Sequence, residues 1–309
     1  MTIDIFLLTL GILLLYLGGN FLVKSSVSLA NHFNVSPFFI GIVIISFGTS
    51  FPELVVSVNA AIKGHPDISL GNIIGSNIAN IALALGLTAI VLPIIVKKKT
   101  LWIDWLTIFI ISGLLILFSL NNKLQRVEGI SFLIILILYY TYQIYETRKY
   151  RKKINIEKPQ YGIYLSIVII ILAFVSLTFG AKWAVESGSS IAKSLGVSER
   201  IISLTIIAFG TSLPEIVTSF VAALKKQLDI SIANVLGSNI FNIAGVLGIT
   251  SIITPIRIDY QILHFDYFWM IGFLIILLFM LFVFNKQKIS GIEGIILIAV
   301  YALYLFLLF

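Results

Sequence analysis

Phe47-Gly48-Thr49-Ser50-Phe51-Pro52-Glu53 recurs as Phe209-Gly210-Thr211-Ser212-Leu213-Pro214-Glu215, 162 residues further on. Gly71-Asn72-Ile73-Ile74-Gly75-Ser76-Asn77-Ile78-Ala79-Asn80 recurs at the same offset as Ala233-Asn234-Val235-Leu236-Gly237-Ser238-Asn239-Ile240-Phe241-Asn242. Residues 47–80 and 209–242 align without a gap, and 20 of 34 positions are identical. Apolar composition raises chance identity, but it does not explain matches at Pro, Glu, Asn and Gly. A weaker echo precedes them, Leu17-Gly18 with Phe179-Gly180 and Asn34-Val35-Ser36 with Gly196-Val197-Ser198. The chain is an internal duplication, and that fact governs its fold.

The duplicated unit is a membrane unit. Of 309 residues 59% are hydrophobic and 11% charged, against about 25% charged in soluble domains. Fourteen acidic residues are too few to solvate a soluble body of this size, and the absence of Cys excludes a disulfide scaffold. About 20 apolar residues cross the hydrocarbon core as a helix. Ten such stretches are predicted: 3–23, 37–62, 69–95, 102–120, 128–146, 161–185, 200–224, 230–254, 266–284 and 290–309. The first lacks a basic leader and a small-residue cleavage site, so it reads as a span and not as a signal peptide. Residues 1–147 and 161–309 then form two five-span halves, joined by a basic loop at 148–160. Five is odd, so the second half enters the membrane from the opposite side. The expected fold is all-α and integral to the membrane, with ten helices in two inverted-topology repeats. Such repeats place a transport site at their interface near the midplane.

The deep polar residues are the repeated ones. Glu53 lies ten residues before Lys63, and Asn80 ten after Leu70, so each is about 15 Å from its membrane surface. Glu215 and Asn242 are their counterparts. A carboxylate at that depth is costly unless a cation or donor compensates it, and no Lys or Arg in the sequence lies deep enough to do so. The remaining acidic residues, Asp104 and Asp266 among them, fall at span ends or in loops. Pro52 and Pro214 delete a helical hydrogen bond and free the carbonyl four residues earlier. Thr49, Ser50, Thr211 and Ser212 add hydroxyls at the same kink, and Asn80 and Asn242 add amides. Oxygen-rich sites suit hard cations. Without Cys, and without His in the repeated segments, soft metals are poorly served. Ser76 and Ser238 read equally well as ligands or as packing residues, whereas Gly71, Gly75 and Gly237 read as packing glycines. Trp102, Trp105 and Trp269 near span ends read as an interfacial belt.

G-T-S-x-P-E paired twice with G-S-N-x-x-N resembles the alpha-repeats of the calcium/cation antiporter superfamily, and most closely the short prokaryotic form of the sodium/calcium exchangers. The resemblance implies a core of spans 2, 3, 7 and 8 around the ions, with long, tilted spans 1 and 6 sliding against it. Carried over by motif position, it implies Glu53 and Glu215 as acidic ligands, Thr49, Ser50, Thr211, Ser212, Ser76 and Ser238 as hydroxyl ligands, and Asn80 and Asn242 as a polar pair. It implies that the backbone carbonyls of Ser46 and Ala208 contact sodium. Some relatives carry Asp where this chain has Asn242, so two fixed charges are expected here instead of three.

Electrogenic, K⁺-independent Ca²⁺/Na⁺ antiport by alternating access is the leading expectation, with Ca²⁺/H⁺ antiport on the same fold as the alternative. His32, His65 and His264 lie at loops or span ends and offer no proton group to the motifs. A channel would need a filter repeated across subunits. An intramembrane protease would need paired Asp or His-Glu-x-x-His. No enzyme activity is expected, no resident cofactor, no nucleic-acid partner and no obligatory second copy. Fourteen of the 21 Lys and Arg fall on one side, counting the loops after the odd-numbered spans, and seven on the other. That asymmetry predicts a cell-membrane protein with both termini outside and the 146–160 loop in the cytoplasm. The run Arg148–Lys153 reads chiefly as this topology signal, though it could also meet anionic lipid.

Overall fold

The computed structural model describes residues 1–95, 98–150, 158–197, 210–284 and 288–308. Within them the chain is almost entirely helical. The helices are α1 (Thr2–Phe33), α2 (Pro37–Thr49), α3 (Phe51–Ile62), α4 (Ile68–Val91), α5 (Lys98–Ser119), α6 (Arg126–Tyr150), α7 (Ile163–Ser194), α8 (Leu213–Leu224), α9 (Leu228–Ile253), α10 (Ile262–Phe282) and α11 (Gly291–Leu308). Eight are long and apolar enough to cross a bilayer, and α2 with α3 makes a ninth crossing bent by 40°. The predicted span 200–224 is described only from Gly210 onward, and Ala208 lies outside the described residues.

The bend follows from sequence. Pro52 cannot donate to Gly48, so α2 ends at Thr49 and α3 restarts with Pro52 in its first turn, where a missing N–H costs nothing. Pro214 holds the same place in α8. Ser36 caps α2 by accepting the Phe39 N–H at 3.2 Å.

α4 and α9 form the centre. About 78% and 83% of their spans are buried, against 28–39% for the other full-length spans. Each switches to π winding at the equivalent place, Asn80–Leu85 and Phe241–Leu247. A π turn holds one extra residue and so rotates the face presented downstream, a device frequent at functional sites.

At 32 residues each, α1 and α7 are about 48 Å long and exceed the hydrocarbon core. They pack backbone to backbone. A Cβ on Gly180 would lie 2.9 Å from both Gly11 O and Leu15 N, and one on Gly11 would lie 2.9 Å from Gly180 O. Gly237 is a packing glycine of the same kind, with Ile42 O 2.9 Å from a Cβ there. No described residue lies within 4 Å of one at Gly71 or Gly75.

Two short antiparallel ribbons tie the halves together. Ile94–Ile95 (β1) pairs with Lys288–Ile289 (β4), and Lys123–Leu124 (β2) pairs with Ile256–Arg257 (β3). Residues 94 and 256 differ by the repeat offset of 162, so one ribbon is the repeat of the other.

Two expectations need correction. Trp105 is buried, and its indole N–H donates to Leu274 O at 2.9 Å, so it packs α5 against α10 instead of standing in an interfacial belt. Asp104 is at a span end but fully buried between helices, accepting from Tyr139 Oη at 2.7 Å and Gln143 Nε2 at 2.6 Å.

Candidate ion site

The breaks in α2/α3 and before α8 meet the middles of α4 and α9. Thr49, Ser50, Glu53, Ser76 and Asn80 from the first half are buried together with Ser212, Glu215, Ser238 and Asn242 from the second. Glu53 and Glu215 lie close enough to repel one another electrostatically. The hydroxyls of Thr211 and Ser76 neighbour Glu53, and those of Ser50, Thr49 and Ser238 neighbour Glu215. Among the described residues no Lys, Arg or His is buried. The negative charge of this cluster is therefore unopposed by any buried basic side chain among the described residues.

The hydrogen bonds around the cluster are duplicated by the repeat. Thr49 Oγ1 donates to Asn234 Oδ1, and Thr211 Oγ1 to Asn72 Oδ1, both at 3.1 Å. Asn234 Nδ2 donates to Ser219 Oγ at 2.9 Å, and Asn72 Nδ2 to Ser57 Oγ at 3.3 Å. Asn80 Nδ2 donates to Asn239 Oδ1, and Asn242 Nδ2 to Asn77 Oδ1, again both at 3.1 Å. This two-fold pattern is what an inverted repeat produces when its halves interlock. Ser50 Oγ breaks the symmetry by donating to Glu215 Oε1 at 2.8 Å.

What remains unpaired is informative. Both carboxylate oxygens of Glu53, Glu215 Oε2, Asn80 Oδ1, Asn242 Oδ1 and Ser212 Oγ are buried and have no hydrogen-bond partner among the described residues. Buried polar atoms are almost always satisfied. Six of the unpaired buried oxygens thus belong to the repeated motif residues. Because the asparagine NH₂ groups are tied to the opposite half, their carbonyl ends are left for something else. Oxygens stripped of donors around two carboxylates are the donor set of a hard cation.

The structure thus buries most of the motif residues around the helix breaks and the two central helices. Ser46 is buried beside them, and its carbonyl accepts from the Ser50 N–H at 3.0 Å. The equivalent position, Ala208, is outside the described residues. Sequence reasoning passed over Asn72, Asn77, Asn234 and Asn239, whose side-chain oxygens accept from Thr211, Asn242, Thr49 and Asn80 respectively. Their signal was available, since all four are identical across the two copies. Phe174 and Val185 of α7 carry no such signal. They lie against Gly48 and Gly210, where an added Cβ would clash with them.

Comparison with known proteins agrees with this architecture. A family model described as sodium/calcium exchanger protein matches residues 3–145 and 165–309. A putative antiporter, CaxA, of Alkalimonas amylolytica is 34% identical over 97% of this chain and 96% of its own length. The sodium/calcium exchanger MaX1 of Methanosarcina acetivorans is 30% identical over 100% and 99%. A solved structure of the sodium-calcium exchanger NCX_Mj, soaked with zero Na⁺ and Ca²⁺, superposes with a TM-score of 0.82 at 32% identity, covering 98% of each chain. The chain is a multi-pass membrane protein that belongs to the sodium/calcium exchanger family.

Proposed function

We propose that this protein is a secondary antiporter that exchanges Ca²⁺ for Na⁺, with Glu53 and Glu215 as the charged ligands. Thr49, Ser50, Thr211, Ser212, Ser76, Ser238, Asn80 and Asn242 supply neutral oxygens, and the carbonyls of Ser46 and Ala208 complete the sodium positions. The observation that carries the reading is the set of donor-free buried oxygens around two carboxylates.

The charge count shapes the coupling. Two carboxylates neutralise one Ca²⁺ or two Na⁺. If three Na⁺ exchange for one Ca²⁺, one net charge moves per cycle, and a membrane potential biases exchange by about 2.3 kcal/mol per 100 mV. With Asn at 80 and 242 no third carboxylate draws in K⁺, so K⁺ is not required. The ions are substrates, and no resident cofactor takes part.

Proton coupling is the second reading, because one relative, 25% identical over 85% of this chain, is named a Ca²⁺/H⁺ antiporter. Radiolabelled Ca²⁺ uptake into proteoliposomes separates the two. Uptake driven by an outward Na⁺ gradient, enhanced by a valinomycin-set potential and undiminished when choline replaces K⁺ without ionophore, supports the proposal. Uptake driven by a pH gradient and indifferent to Na⁺ would replace it with the second reading.

A further inference from the structure

Away from the ion site, a cavity of about 310 Å³ opens where α1, the segment before α7 and the turn between α8 and α9 meet. Lys24, Lys158 and Lys225 line it, with the amides of Asn31, Gln160 and Gln227. Among the described residues that line it, none is acidic. Its walls are fixed. Ser28 Oγ of α1 accepts the Tyr161 N–H at 2.9 Å and lies 3.0 Å from Tyr161 O, and His32 Nε2 is 2.7 Å from the same carbonyl. Lys226 adopts the left-handed conformation, φ 59°, that ends α8 and turns Gln227 back onto Ala222 O at 2.8 Å.

Charge is the unusual feature. Lys24 and Lys225 are half-buried, and burial together with the charge of Lys24 holds the Lys225 ammonium below its ordinary range. Neither ends in a salt bridge among the described residues. The repeat supplies a built-in comparison. At the offset of 162, Lys24 becomes Glu186 and Lys225 becomes Lys63, so on the opposite face the equivalent pair is of opposite charge. The like-charged arrangement therefore exists on one face only, and it is not inherited from the repeat fold.

We propose that this cavity binds an anion of phosphate chemistry, with Lys24, Lys225 and Lys158 as its cationic clamp and the three side-chain amides as hydrogen-bond donors. A phosphate ester offers several acceptor oxygens to ammonium and amide donors and carries the charge that offsets the lysines' repulsion. Such an anion ties α1 to the turn that follows α8, and so links two helices of different parts of the molecule. The headgroup of an anionic lipid and free phosphate share this chemistry.

The test uses the full chain in neutral detergent and Ca²⁺-free buffer, with thermal unfolding as the readout. One arm compares inorganic phosphate with chloride at equal ionic strength. The other compares mixed micelles of phosphatidylglycerol with those of phosphatidylcholine. The expected result is a rise in Tm of a few degrees in at least one arm, lost in Lys24→Gln/Lys225→Gln and kept in Lys63→Gln on the opposite face. The apparent affinity of the double variant falls about tenfold or more. A shift in the lipid arm alone assigns the site to a headgroup, and one in the phosphate arm alone assigns it to the free ion. Without anion, the double variant unfolds at the parent's temperature or above, because a like-charge pair is gone. If it does not fold, Lys158→Gln, at an exposed position, gives the same reading with a smaller loss. No shift in either arm, or a shift that survives these substitutions, overturns the proposal.

Discussion

Asn77 and Asn239 hold one another across the repeat. Asn77 Nδ2 donates to Asn239 O at 3.3 Å, and Asn239 Nδ2 donates to Asn77 O at 3.2 Å. The side-chain oxygens thereby freed accept the amide groups of Asn242 and Asn80. Asn77 and Asn239 thus close a ring between the middles of α4 and α9, and Asn80 and Asn242 hang from it with their own side-chain oxygens unpaired among the described residues.

Replacing Asn239 with Leu removes the acceptor of Asn80 Nδ2. A buried amide left without its partner costs about 1–3 kcal/mol, so Tm falls, and Asn80 becomes free to turn its oxygen away. Calcium affinity falls with it. Asn77→Leu acts on Asn242 in the same way and by a similar amount. Thermal unfolding and equilibrium Ca²⁺ binding measure both effects; an Asn239→Leu protein with unchanged calcium affinity shows that the ring does not orient the ligands.

Glu53→Gln and Glu215→Gln each halve the fixed charge of the site while nearly preserving shape. Both variants should remain monodisperse on size exclusion and lose Na⁺-dependent Ca²⁺ uptake. Near-normal exchange by either one removes that residue from the site.

Acid should compete with calcium. A proton on either glutamate cancels the charge that Ca²⁺ needs, so uptake at sub-saturating Ca²⁺ declines as pH falls. Saturating Ca²⁺ restores it, because the two cations seek the same oxygens. A loss of maximal rate that calcium does not relieve points to protonation elsewhere.

Gly180→Ala sets two effects against each other. Alanine favours the helix by about 1 kcal/mol, whereas an overpacked contact costs about 1–3 kcal/mol. The atoms 2.9 Å from the new Cβ are backbone atoms of α1 and cannot rotate away. The clash wins, and Tm falls. Gly113 in α5 has no described atom within 4 Å of a new Cβ, so Gly113→Ala should raise Tm. Equal responses at the two positions would remove the close approach of α1 and α7 as their cause.

Orientation rests on the 14-to-7 division of basic residues. A Cys placed at Lys152 should resist an impermeant thiol reagent in intact cells, and one near Phe309 should react. The reverse pattern inverts the molecule in the membrane and leaves the repeat unaffected.

The parts of this fold that the sequence discloses are those written twice. The proline breaks, the glutamates and the buried serines and asparagines stand out because 47–80 and 209–242 can be laid over each other. Asn77 and Asn239 stand in the same alignment, but their role depends on which atom meets which across the halves, and no periodicity encodes that. Asp104 shows the opposite limit. Its position near a span end suggests exposure, yet Tyr139 and Gln143 of α6 enclose it. That contact joins residues about ten turns of chain apart, beyond the reach of local pattern. Asp266 accepts from Tyr304 at 2.9 Å in the equivalent place of the second half, so this pair too was written twice, with a spacing shifted by three residues.

The ribbons and the asparagine ring carry one consequence for how the chain can be divided. β1 finds its partner near α11, β2 finds its partner after α9, and Asn77 and Asn80 of α4 are completed by asparagines of α9. A protein cut within 151–157 yields two pieces with unpaired strand edges and unsatisfied amides, each of which the other piece alone can complete. Co-expressed, they should reassemble as an antiparallel heterodimer; expressed singly, each has only a second copy of itself to offer the same surfaces. The repeats are thus separate in sequence, while the contacts that complete each one lie in the other.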